Sequence, residues 1–188
     1  SYWDTETSGT TTGVNGSYGG GATGLTTKQM MNGLPTGFDG GTWDVIAGTS
    51  YPYLKWRYPT TPQVVSGVVQ NAAGTAQAGQ SVQTLAKGSL VGGATSGANG
   101  FYYMLLDNSS ISSDTAVLSF SSGLGSAAQY TALANQNLTG FDITAGRVTA
   151  ASSGALDITA LLADTKGGSS DDTLYTVSGA AVSVSGNL

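Results

Sequence analysis

Glycine sets the first limit on this chain: 29 of its 188 residues are glycine, and glycine or proline interrupts most windows long enough for a helix. In a helix interior glycine costs about 1 kcal/mol relative to alanine, and proline about 3. Short strands joined by turns are what remains. Three windows keep some helical character: residues 26–32, 125–135 and 155–164. The first reads as one short turn N-capped by a threonine. Residues 155–162 read as helix or strand, with strand favoured.

Strand signals are clearer. Alternation or short apolar runs bounded by turn residues mark 64–70, 81–85, 101–106, 115–120, 141–143, 147–149, 174–177 and 181–184. Strands spaced this closely point to a sandwich, barrel or solenoid. Tyr58-Pro59-Thr60-Thr61-Pro62 reads as an extended, semi-rigid joint, because proline also pushes the residue before it towards extended backbone. All three tryptophans lie before it, at Trp3, Trp43 and Trp56. The chain therefore divides into a unit at 1–58, a linker at 59–63, a module at 64–107, and a Gly/Ser/Thr-rich β unit at 108–188, the alternative being that the last two are continuous.

Composition narrows function. Charged residues are 9% of the chain, against about 25% in an average soluble domain. The surface must be wetted by hydroxyls, amides and backbone. Histidine and cysteine are both absent, which removes the usual general base, the best nucleophile and the usual zinc ligands. The net charge is −5 and the six basic residues are scattered, so no basic patch for nucleic acid exists. No apolar run approaches the ~20 residues of a membrane helix. The opening Ser1-Tyr2-Trp3-Asp4 shows no leader, and the chain is expected to be a mature segment cut from a precursor.

Residues 2–9, Tyr-Trp-Asp-Thr-Glu-Thr-Ser-Gly, begin a longer pattern. It runs through Gly24-Leu25-Thr26-Thr27-Lys28-Gln29-Met30, Phe38-Asp39 and Trp43-Asp44-Val45-Ile46, and closes at Gly48-Thr49-Ser50-Tyr51-Pro52-Tyr53-Leu54-Lys55-Trp56. The pattern resembles the segment that ends GLUG-type repeat arrays in large bacterial adhesins, including filamentous-haemagglutinin-like proteins. Residues 64–106 are similar, more weakly, to carboxypeptidase-regulatory-like or Ig-like modules. The carrying residues there are Val65-Ser66-Gly67-Val68-Val69, Gly79-Gln80-Ser81-Val82, Thr95 and Gly100-Phe101-Tyr102. The resemblance implies an extracellular or cell-surface location, in a Gram-negative bacterium, and an adhesive or spacer role.

An independent physical reading agrees for the first unit. The last coil of a solenoid exposes unpaired backbone and apolar layers, so it needs a seal. Trp3, Phe38, Trp43, Tyr51, Tyr53 and Trp56 are expected to provide one. The other use for such rings is a stacking platform for sugars.

Candidate chemistry is sparse. Asp4 with Glu6, or Asp39 with Asp44, could flank a glycosidic bond. Turn and cap duty is the plainer reading. Asp164, Asp171 and Asp172 in a Gly-rich loop are a weak calcium candidate, since calcium takes six to eight oxygens. Lys87 with Asn99 or Asn108 is conceivable as an isopeptide pair. Ala180, Val182 and Val184 form a possible assembly strand for an open sheet edge on a neighbour.

The expectation is thus an all-β chain: a β-solenoid end or β-rich cap followed by Ig-like β-sandwich modules. Its role is expected to be structural or adhesive and non-catalytic, in a large exported bacterial protein, with no cofactor and no nucleic acid or membrane insertion. Partners would be neighbouring domains, copies of itself, a glycan or a host protein. A self-assembling filament subunit and a carbohydrate-binding module are the alternatives.

Overall fold

The computed structural model describes residues 1–13, 21–87, 89–112, 115–124, 127–134, 137–151, 175–178 and 181–184. Strands take 38% of the chain and helices 9%, so the protein is β-rich, as its turn-broken sequence requires. Among the described residues no helix is long and apolar enough to cross a membrane.

The described residues of the first 58 hold four short strands and two short helices. β1 (Tyr2–Asp4) runs directly into α1 (Thr5–Ser8), and β2 (Thr23–Leu25) leads into α2 (Thr27–Met31). β1 and β2 pair in parallel, with Tyr2 opposite Thr23, 21 residues on. The close fit depends on Gly24: a Cβ there would press into the Trp3 ring at 2.8 Å. β3 (Trp43–Asp44) and β4 (Tyr53–Leu54) form a small antiparallel pair. The threonine-capped turn expected at 26–32 is present. Thr26 accepts from the Gln29 N–H at 3.1 Å, and the Gln29 side chain returns to the Thr26 N–H at 2.9 Å. This reciprocal box satisfies two donors that a helix start leaves open.

Beyond the prolines the strands lengthen. β5 (Gln63–Gln70), β6 (Ser81–Ala86), β7 (Ser89–Thr95), β8 (Phe101–Leu106) and β9 (Thr115–Phe120) are followed by a 3-10 turn at Ser122–Leu124. β10 (Ala127–Ala134), β11 (Ile143–Thr144) and β12 (Arg147–Ala151) come next, then a hairpin of β13 (Tyr175–Ser178) and β14 (Ala181–Val184). One sheet has the order β12-β10-β9-β6-β7, a second β11-β5-β8. Residues 64–107 and 115–151 thus contribute strands to the same two sheets. Both sheets feed a single core of Val65, Val69, Tyr102, Met104, Leu106 and Ile143 from one side and Val82, Ala86 and Val117 from the other, with Ile111 and Phe141 from connecting segments. Each fully buried side chain of this size stabilises the fold by about 1.5–3 kcal/mol. β8 shows the period-two alternation: Tyr102, Met104 and Leu106 point inward.

One expectation is overturned here. Residues 127–134, inside a window with helical character, form β10, antiparallel to β9 and parallel to β12. Two ladders outweigh the helix preference of its alanines, because propensity is a weak prior beside tertiary pairing. β7 is an addition that sequence did not signal, since Gly92 and Gly93 dilute its apolar pattern. Residues 155–162 lie outside the described residues.

The proline joint does not hold the two parts at a distance. The Tyr58 hydroxyl donates to the Leu105 carbonyl at 3.2 Å, and Arg57 meets Asp107 at 3.1 Å. The Ala98 N–H donates to the Thr7 carbonyl at 2.8 Å. Tyr51 meets Tyr103 edge-to-face, with ring centroids 4.9 Å apart. Pro62 itself is buried.

Candidate functional site

Asp4 ends β1 and caps α1, and it is the most heavily engaged carboxylate of the described residues. Its Oδ1 accepts from the Glu6 N–H at 2.8 Å and the Thr7 N–H at 3.1 Å. Its Oδ2 accepts from the Thr27 hydroxyl at 2.6 Å and the Tyr51 hydroxyl at 2.5 Å. One side chain, 9% exposed, therefore ties β1, α1, α2 and the segment before β4 together. Glu6 adds a bond beside it, accepting from the Thr27 N–H at 2.9 Å. Burial works against the Asp4 charge, but the Thr27 and Tyr51 hydroxyls and the Thr7 and Glu6 amides outweigh it and hold the carboxyl below its ordinary value. Tyr51 moves the other way: burial and the adjacent Asp4 carboxylate both keep its phenol protonated.

This geometry bears directly on the proposed acid pairs. A glycosidase acid needs a raised pKa and a free face. Asp4 has neither, since both oxygens are occupied and its charge is stabilised. Asp39 is also held below its ordinary value, chiefly by the Gly41 N–H and then by the Thr42 hydroxyl. Asp44 accepts from the Val45 N–H at 2.9 Å and faces Lys55 at 4.0 Å. These are turn and cap roles. Lys87 is exposed, in a left-handed turn with φ of 48°. An isopeptide donor needs a buried lysine and acid, so this residue does not fit that chemistry.

The aromatic residues expected to form a cap have separate partners. Phe38 contacts Tyr2 and Trp43, at centroid distances of 5.8 and 4.6 Å. Trp3 lies along backbone, donating to the Thr10 carbonyl at 3.2 Å. Tyr53 is buried and stacks edge-to-face on Tyr58. Tyr51 does not seal a coil end. It bridges Asp4 and Tyr103. Trp56 corrects the expectation outright: it is 74% exposed, because the turn after β4 carries it away from the small sheet. Trp56 and its neighbours offer one exposed ring, and no coplanar partner among the ring contacts above, for stacking a sugar.

Two open grooves flank α2, of about 450 and 440 Å³. The first is lined by Tyr2, Leu25, Gln29, Leu34 and Pro35 among others. The second is lined by Glu6, Thr27, Lys28, Met31, Asn32 and Gly48. Among the described residues no three acidic side chains gather as metal ligands would. Asp164, Asp171, Asp172 and Ala180 lie outside the described residues, while Val182 and Val184 fall in β14. Sequence reasoning placed Asp4 and Glu6 near each other but missed Thr27 and Tyr51 as their partners. The only signal was the presence of all four within the quoted motif. Compared with known proteins, the chain matches no protein-family profile and finds no significantly similar relative among curated proteins.

Proposed function

We propose that the chain is a non-catalytic structural or adhesive segment of a large exported bacterial surface protein. In this reading residues 1–58 form a β-solenoid end and the following two sheets an Ig-like sandwich. The observation that carries it is the parallel pairing of β1 and β2 at a 21-residue offset. A parallel strand returning beside its predecessor after one turn of chain is the unit from which solenoids are stacked. After β2 the path turns into the capped α2 and the Phe38–Trp43 contact rather than a further parallel strand. The Asp4 bonds then fix that ending to the strand before it.

The experiment is electron microscopy with sedimentation on the purified chain across a wide concentration range, beside a turnover screen with glycan and peptide substrates. A dispersed, inert monomer is the expected result. Reproducible turnover abolished by one aspartate substitution overturns the reading. A second reading, filament assembly, draws support from β13–β14, which form a two-stranded sheet of their own. Fibres that disappear when residues 174–188 are deleted would replace the first reading with this one.

A further inference from the structure

We propose that the two-sheet unit bears tension along the chain, through a parallel shear joint between β5 and residues 137–145. The inference deepens the structural reading above, although the joint itself stands on geometry alone.

β5 has unlike neighbours. On one side it pairs antiparallel with β8. On the other, residues 137–145 run parallel to it: Leu138 lies opposite Val65, Ile143 opposite Val69 and Thr144 opposite Gln70. Backbone bonds join the two segments at several points. Leu138 N–H donates to Val64 O at 2.8 Å, Ser66 N–H to Leu138 O at 2.8 Å, Phe141 N–H to Ser66 O at 2.9 Å, and Ala145 N–H to Gln70 O at 2.9 Å.

The returning strand carries one more residue than β5 between Leu138 and Ile143, so the backbone ladder is not continuous. Side chains take over where it lapses. The Val64 N–H donates to Asn137 Oδ1 at 2.9 Å and the Val68 N–H to Asp142 Oδ1 at 2.8 Å. Gly67 is required at the closest approach, because a Cβ there would collide with the Phe141 carbonyl. The Tyr102 hydroxyl, from β8, donates to that same carbonyl. Val64, Val65, Val69 and Ile143 are fully buried beside the joint, which shields its backbone bonds from water, while the Asp142 bond lies at the surface.

The direction of load follows from the topology. The chain enters β5 at its first residue and leaves the partner segment at its last, passing on into β12, whose pairing with β10 lies next in the load path. Because the two strands are parallel, these points lie at opposite ends of the joint. Tension between them slides the strands past each other and loads every bond together. Tension applied at one end would instead open the bonds in succession.

The chain has no cysteine, so two introduced thiols define a pulling axis without ambiguity. Thr61→Cys with Arg147→Cys loads the joint in shear. Ala72→Cys with Arg147→Cys opens it from one end. All three positions are exposed. Single-molecule force spectroscopy should give a clearly higher rupture force on the shear axis, since bonds that share load must fail together. Asn137→Ala with Asp142→Ala should lower the shear-axis force towards the other. Equal forces on the two axes, or a shear-axis force unmoved by the double substitution, overturn the proposal. Equal forces in an inert, dispersed chain would remove the joint and leave the structural reading. Enzymatic turnover with a strong shear axis would do the reverse.

Discussion

Four hydrogen bonds converge on the Asp4 carboxylate, and removing it leaves part-buried donors without acceptors. Asp4→Ala should lower unfolding free energy by about 2 kcal/mol, combining a lost N-cap with lost charge-assisted bonds; urea denaturation measures it. The pH dependence has a definite sign. The folded carboxyl sits below its model value of 3.8. Its contribution is therefore complete above that value and is lost as pH falls through the lower folded one. Thermal midpoints recorded from about pH 5 to 2 should fall less steeply in Asp4→Asn than in the parent. Tyr51, Tyr102 and Tyr103 are all raised, chiefly by burial. For these phenols stability is complete below the ordinary value of 10.0 and lost as pH rises through the folded one. Spectrophotometric titration should show them ionising together with alkaline unfolding, and near their ordinary value in urea.

At the level of single elements, Gly67 has no room for one added methyl, since a Cβ there meets the Phe141 backbone. Gly67→Ala forces β5 away from Phe141 and should cost about 1–3 kcal/mol by strain, read as a lower denaturation midpoint with the slope unchanged. Strands bounded by turn residues were legible in sequence: β6 and β9 by their alternation, β5 and β8 as short apolar runs. The capped turn at Thr26 was legible because its caps are local. Residues 127–134 were not, because alanine-rich sequence carries no sign of the two strands that flank β10. Of the parallel run at 137–145 only 141–143 was legible, because the rest is irregular and depends on Asn137 and Asp142 standing in for backbone. The Asp4 cluster stayed hidden for a related reason: it joins residues up to 47 apart, and spacing says nothing of such closure.

Across the whole molecule, the first 58 residues and the two-sheet unit are joined through Tyr51, Tyr58, Arg57 and Thr7. The Arg57–Asp107 pair is exposed on both sides, so little of the coupling comes from it. The ring contact matters more. Tyr103→Ala should cost about 2 kcal/mol and split one calorimetric transition into two, while Arg57→Ala should leave a single one. A parent that already melts in two steps would contradict tight docking. The tryptophan distribution makes this measurable without labels. Trp3, Trp43 and Trp56 all belong to the first part, so indole emission is blind to the sheets beyond Pro62. Trp56, already facing solvent, supplies a constant background, and the colour change on melting comes from the other two. Emission therefore watches the first part alone while far-ultraviolet dichroism watches the backbone of the whole chain, and the gap between their curves reads out how firmly the two parts hold each other.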